Sequence, residues 1–253
     1  SRVVVVDPLG AYPLALLVLS KNAGYYYSMG VREDSPVWPA LRHLTVRQAT
    51  SALGRAVHVA AAGCMLDELL KWRAEGAGVL TYGSAFSGVD TVAAALDMKM
   101  REGQWRYEFL AELHEKTRDA ATAAWAQRGL AKARCHADAR RLDNECWVEL
   151  FVITPECVEF AACQHDADHE RQASSMRDTN CALNYVRRRR PRFVLVENVD
   201  EAAAVGPLSG VLGSLEGYVF ERVVVCPTHE VAPTCRHGGM WRRSRASMSV
   251  WLR

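Results

Sequence analysis

Apolar and polar positions change period repeatedly along the chain, and each change marks an element. After Gly76 and Gly78, short apolar runs alternate with stretches of helical spacing. VLTYGSAF, WRYEFLAEL, AKARCHADA, VELFVITPE and RFVLVEN read as strands, and DTVAAALDM, HEKTRDAATAAWAQRG, MRDTNCALNYVRRRR and PLSGVLGSLEG read as helices between or after them. YVFERVVVC and MSVWL read as two last strands joined by a long loop, expected as an antiparallel edge pair. Repeated strand and helix units of this length predict an α/β fold with a mainly parallel sheet and helices on both faces. Upstream, LTVRQATSALGRAVHVAAAGCMLDELLKWRAE carries Thr45 as a candidate N-cap and alanine-rich spacing to about Glu75, predicting one or two helices with a break near Gly54. Residues 1–40, with Tyr25-Tyr26-Tyr27, Pro36 and Pro39, read as strand and loop.

Composition narrows this little. At 253 residues, with 49% hydrophobic and 24% charged side chains, the chain can bury one good core. A net charge of +2 permits a polyanionic partner without announcing one, because an evenly mixed surface gives the same sum. The opening run VVVVDPLGAYPLALLVLS is interrupted by Asp7, Pro8, Gly10 and Pro13, so an exported protein is not expected. Nor does any segment offer the ~18 uninterrupted apolar residues of a membrane span. Eight scattered cysteines in a chain too large to need staples predict free thiols in a reducing compartment.

Candidate chemistry collects at predicted strand ends, where ligands of open α/β sheets bind. GSAFSGVDT follows the first strand; its small residues let backbone approach a ligand and place the next helix N-terminus against it, although the full G-x-G-x-x-G is missing. Glu112 closes the second strand, where a carboxylate can accept from two ribose hydroxyls, and Asp138 closes the third, where it or its neighbouring backbone can meet an exocyclic amine. Three successive strand ends thus each offer one polar group to one elongated, nucleoside-like ligand. Beside them, Thr154-Pro155-Glu156-Cys157 brings a thiol to the end of the fourth strand, and Glu197 a carboxylate to the fifth. A thiol is nucleophilic only as thiolate, so a cationic neighbour is wanted; Arg243 and Arg245, two apart on one strand face, are candidates.

The order FSGVDT, AEL, ADA, PEC, VENV and RRSR resembles the cytosine C5 DNA methyltransferase family from about Thr81 to the end. That resemblance implies a Rossmann-like, S-adenosyl-L-methionine-dependent methyltransferase. Phe86, Ser87, Gly88, Asp90, Thr91, Glu112, Leu113, Asp138, Ala139 and Pro155 would hold the cofactor. Cys157 would be the nucleophile, Glu197 would grip the base, and Arg243 and Arg245 would contact the base or phosphate. A loop after Cys157 carrying Gln164, His165, His169 and Arg171 would close over double-stranded DNA. LRHLTVRQATSALG and LGRAVHVAAAGCMLDELL are similar to the family's ninth and tenth motifs, the latter adding Arg55 and Val57 to the cofactor set. In most members these motifs lie at the C-terminal end. The resemblance therefore implies a circularly permuted single catalytic domain, with a permuted segment at 1–75 and the catalytic core at 76–253. No full target-recognition domain is expected within it. The implied location is the nucleus in a eukaryote, or the cytoplasm or nucleoid in a bacterium.

Departures from the pattern bear on the chemistry. An acid, Glu156, immediately precedes the nucleophile and would raise its pKa if close. Two glycines of the family's Phe-x-Gly-x-Gly-Gly are Asp90 and Thr91, the glutamine before Arg-x-Arg is Trp241, and the asparagine of Gly-Asn is Arg55. A transfer-RNA cytosine methyltransferase, or a catalytically degenerate module that binds or regulates, would share most of these motifs. Two features stand apart. Arg187 to Arg190 close a predicted helix, where they favour its dipole or a phosphate. Cys226, His229, Cys235 and His237 offer a two-cysteine, two-histidine set for zinc, in an order that matches no common finger.

Overall fold

The computed structural model describes residues 37–41, 44–45, 47–49, 59–73, 76–155, 169–199, 215–225 and 246–252. They form one seven-stranded sheet: β1 (Leu80–Ala85), β2 (Trp105–Ala111), β3 (Cys135–His136), β4 (Leu150–Ile153), β5 (Phe193–Val199), β6 (Val219–Val225) and β7 (Ala246–Leu252), in the order β3-β2-β1-β4-β5-β7-β6. The first five strands are parallel. The seventh slots between β5 and β6, antiparallel to both, as the expected edge pair. Because the order reverses between β1 and β4, a crevice opens there at the carboxyl ends of the strands.

The helices are α1 (Val37–Leu41), α2 (Val59–Lys71), α3 (Thr91–Lys99), α4 (Glu115–Trp125) and α5 (His169–Arg189). Their packing follows from their stripes. On α4 the buried positions are Thr117, Ala120, Ala121, Ala124 and Trp125, the i, i+3, i+4 pattern of one apolar face. The first six residues of α3 are all buried, which alanine and valine permit. One core lies between these helices and the sheet and includes Met65, Leu66, Leu69, Leu96, Trp105 and Trp125; the other lies beneath α5, with Phe109, Phe151, Tyr185 and Val186. Strands β4 and β5 feed both cores alternately: Leu150 and Val152 one, Phe151 and Ile153 the other.

On β2 that alternation slips. Trp105 and Tyr107 face the first core but Phe109 and Ala111 the second, and the β1–β2 register shifts between Tyr82 and Gly83. Glu108 is the extra residue, and it pairs with Arg106 and Arg134. Gly83 is required at this point, because a Cβ there would lie 2.5 Å from the Phe109 ring.

Several elements differ from the sequence reading. Val37–Leu41 is helical rather than loop; Pro39 is tolerated because the first turn of a helix needs no N–H partners. The third strand is only Cys135–His136, flanked by 3-10 turns at Lys132–Arg134 and Ala139–Asn144, so Asp138 lies beyond its end. Helix α5 begins at His169, ahead of Met176, where the pattern placed it. The helix read at PLSGVLGSLEG falls largely outside the described residues, and its end is a turn before Tyr218. Among the described residues no helix is long and apolar enough to cross a membrane.

Candidate functional site

Residues 86–90, between β1 and α3, turn sharply at the carboxyl end of β1. Phe86, Gly88 and Asp90 have φ of 61°, 58° and 59°. The left-handed region is cheap for glycine and tolerable for aspartate, but costly for phenylalanine, and such backbone persists only where its surroundings hold it. Here they do. The Phe86 and Ser87 N–H groups donate to Ala111 O, and Thr154 Oγ1 donates to Phe86 O at 3.0 Å. Thr154 N also donates to Ala85 O, which ties the turn after β4 to the loop after β1.

Asp90 anchors the loop from below. Its Oδ1 accepts from Ala93 N at 2.9 Å, capping α3, and its carboxylate accepts from the hydroxyls of Tyr82 and Tyr107. Burial pushes its pKa up, and the Tyr107, Ala93 and other hydrogen bonds pull it back. Both tyrosine pKa values are driven well above the usual range by burial and by Asp90. The Tyr107 proton is committed to Asp90, so Ser84 must donate to Tyr107 at 2.6 Å and Ser87 to Ser84 at 2.5 Å. The chain of donors thus ends with the Ser87 oxygen's acceptor capacity unspent by it. The carboxylate of Asp90 therefore supports the loop rather than facing a ligand, and Thr91 is buried beside it at the helix start.

Glu112 stands at the end of β2. Its Oε2 accepts from Gly88 N at 2.9 Å and its Oε1 from His114 N at 2.8 Å, while Arg118 Nη1 donates to the Glu112 carbonyl at 2.7 Å. A carboxylate has about four acceptor sites, so two remain for hydroxyl donors. Beside it, Leu113 is 73% exposed, an apolar surface at the crevice edge. Asp138 accepts from Arg140 N and pairs with the Arg140 guanidinium, which is the main cause of its lowered pKa. Its carboxylate caps the following 3-10 turn, and Ala139 is buried there. The residues present fit a nucleoside-containing cofactor: a tight loop, a carboxylate with free acceptor capacity, and an apolar shelf.

On the other side of the crevice, β4 and β5 run parallel with Ile153 opposite Val196, so Glu197 sits next in register to Thr154. Pro155 is buried, and the chain leaves the described residues just before Cys157. Burial raises the Glu197 carboxyl from 4.5 to about 7, although part of the residue stays open to solvent. Arg55, Val57, Cys157, Arg243, Arg245 and the Cys226, His229, Cys235, His237 set lie outside the described residues. Among the described residues no cluster could hold a metal ion.

The sequence reading missed Thr154, Arg118 and the Tyr82, Ser84, Tyr107 group. Tyrosines at alternate strand positions look like core, and only their convergence on Asp90 shows otherwise.

The strand order with an antiparallel seventh strand, and a bent loop at the switch point, define a Rossmann-like α/β fold. No family model matches the chain, and no curated protein sequence matches it. Similar solved structures include TrmN from Thermus thermophilus (17% identity, 76% of this chain and 48% of that one, TM-score 0.47). S. pombe Dnmt2 methyltransferase is 12% identical over 68% of this chain and 49% of its own, with a TM-score of 0.43. The CurJ carbon methyltransferase is 7% identical over 94% of this chain and 70% of its own, with a TM-score of 0.49. The chain spans about half the length of the first two.

Proposed function

We propose that the chain is an S-adenosylmethionine-dependent DNA cytosine C5 methyltransferase in circularly permuted form. The observation that carries this reading is the juxtaposition of two parallel strand ends. One leads through Thr154 and Pro155 to Cys157, and the other presents Glu197 with its carboxyl raised to about 7. A carboxyl that keeps its proton near neutral pH can donate to cytosine N3 while its second oxygen accepts from the exocyclic amine. Helix α2, which precedes β1 and packs beside α3 through the Lys99 to Asp67 pair at 2.6 Å, is the segment this reading takes as the permuted tenth motif.

Each residue then has a role. Cys157, as thiolate, adds to C6 of the flipped base, and the proton shared with Glu197 draws the electron pair toward N3. C5 becomes enamine-like. S-adenosylmethionine, held by Glu112 and the loop at 86–90, would supply an electrophilic sulfonium methyl to C5, its sulfur leaving as the neutral thioether. Loss of the C5 proton to solvent water, with the N3 proton returning to Glu197, then restores the C5–C6 double bond and expels the thiolate. Glu112 orients the cofactor ribose, and the loop at 86–90 sets its distance from the turn after β4, because Thr154 bonds both. Arg243 and Arg245 hold the base or its phosphate.

The test is a duplex containing 5-fluorocytosine, incubated with S-adenosylmethionine and resolved on a denaturing gel with mass spectrometry. Fluorine cannot leave as a proton does, so turnover stalls at the covalent stage. An adduct absent with Cys157→Ser supports the reading. Adduct formation on RNA alone moves the assignment to an RNA cytosine methyltransferase. No adduct on either, with cofactor still bound, points to a binding module.

A further inference from the structure

The amino-terminal edge of the sheet, opposite the crevice, carries a second surface. Trp72 follows α2 and is 62% exposed, Val79 precedes β1 at 52%, and Trp147 precedes β4 at 50%. Grouped apolar exposure of this kind marks an interaction site. β1, β4 and β5 are neighbours, so these residues and the Arg190-Pro191-Arg192 link into β5 share one edge. That link holds the Trp72 main chain and the Trp147 indole. Arg192 Nη2 donates to the Trp72 carbonyl at 2.7 Å, and Trp147 Nε1 donates to the Arg190 carbonyl at 3.2 Å.

Arg190 itself is strained. It takes φ 54° just past the end of α5, where glycine is usual, and its guanidinium lies over the Tyr218 ring at 5.6 Å. Tyr218 in turn donates to the Pro191 carbonyl at 2.7 Å, and a Cβ on Gly217 would meet Arg190 Nη2 at 2.8 Å. Around this link stand Lys71, Arg73, Arg187, Arg188, Arg189, Arg190 and Arg192, against the acids Asp143, Glu149 and Glu216. Among the described residues these are seven cations and three anions; Arg73 and Arg192 pair with Glu149 and Arg188 with Asp143, and Arg187, Arg188 and Arg189 are exposed.

Cationic side chains with exposed indole faces suit a polyanion whose flat rings are free to stack. A duplex keeps those ring faces paired and stacked, whereas a single strand offers them. We infer that this edge docks a single-stranded DNA segment, with bases on Trp72 and Trp147 and phosphates along Arg187 to Arg190. The choice of DNA rests on the proposed substrate; the surface does not depend on methyl transfer.

The experiment is fluorescence anisotropy of a labelled oligo(dT) 20-mer with the full chain as Cys157→Ser, without cofactor, so that turnover plays no part. Trp72→Ala and Trp147→Ala should each weaken binding about 5- to 100-fold, and Trp147→Phe should retain most of it. Arg187→Ala with Arg188→Ala should lower the slope of log affinity against log salt by about 1.4. Photo-crosslinking from 5-iodouracil in the strand should fall on peptides containing Trp72 or Trp147. Thermal unfolding of each variant verifies the fold, and all four positions are at the surface. Affinity within twofold of the parent in the double tryptophan variant overturns the inference. So do crosslinks confined to the crevice side, tryptophan-dependent binding of oligo(rU) alone, and tryptophan variants that turn a dimer into a monomer with DNA binding intact. A chain that fails the 5-fluorocytosine trap yet shows the tryptophan dependence loses the methyl-transfer reading and keeps this one.

Discussion

Two carboxyls, one on each side of the crevice, meet the same physical problem and solve it differently. Asp90 and Glu197 are both raised by burial. Around Asp90 the chain supplies opposing donors, the Tyr82 and Tyr107 hydroxyls and the Ala93 N–H, which pull the pKa back toward ionisation. At Glu197, among the described residues, burial is the one cause of the shift, and it carries the carboxyl to about 7. A compensated carboxylate is a fixed brace. An uncompensated one sits where a proton can be held or released at neutral pH, which is what acid–base chemistry needs. The Asp90 side of the crevice is thus built for rigidity, and it is to the Glu197 side that the proposed function assigns the chemistry.

The sharpest way to break this contrast is kinetic. Glu197→Gln should lower kcat by about 10²- to 10⁴-fold while leaving S-adenosylmethionine affinity within twofold, measured by single-turnover methylation and calorimetry. A larger effect of Asp90→Asn than of Glu197→Gln on single-turnover rate, at unchanged stability, would reverse the assignment.

Next in size is stability on the cofactor side. Asp90→Ala removes a helix cap worth about 1 kcal/mol and strands two buried hydroxyls at about 1–3 kcal/mol each, for a loss of about 3–7 kcal/mol in urea unfolding. Asp90→Gly should cost less, because glycine relieves the positive φ that alanine would keep.

The pH dependence comes third. Glu197 in the folded chain binds more protons than in the unfolded chain between 4.5 and about 7, so stability falls as pH rises through that window. The penalty is absent below the window, complete above it, and amounts to about 3 kcal/mol. Glu197→Gln should flatten the profile of unfolding free energy against pH and stabilise the chain at pH above 7. Tyr107→Phe, which removes one of the Asp90 donors and breaks the Ser84 link, should cost about 1–2 kcal/mol in the same assay. Smallest of all, Arg140→Ala removes an exposed partner of Asp138 and should leave the unfolding midpoint unchanged.

Much of the architecture was legible in the chain. The repeated change of period between β1 and β5 dictates parallel strands with helices between, and polar residues after apolar runs mark the carboxyl ends. AKARCHADA misled because its small residues carry no strand preference strong enough to resist 3-10 turns, leaving Cys135 and His136 alone in the sheet. The start of α5 was missed because His169 to Ser175 is polar, without the apolar stripe that marks a helix. Glu112 could be named from its position just past β2, and Glu197 from the apolar run before it, although β5 continues to Val199 and it is the pairing with β4 that stops at Val196.

What Asp90 and Glu197 do there could not be read from sequence. Local spacing determined that each carboxylate ends up near the crevice, because periodicity and turn chemistry act over a few residues. Their different fates came from tertiary structure. Tyr82 and Tyr107 reach Asp90 from two strands, and Glu197 meets low-dielectric surroundings assembled from segments far apart in the chain. Solvation and hydrogen-bond geometry are properties of the packed whole, so only the fold decides which buried carboxyl is a brace and which is left to hold a proton.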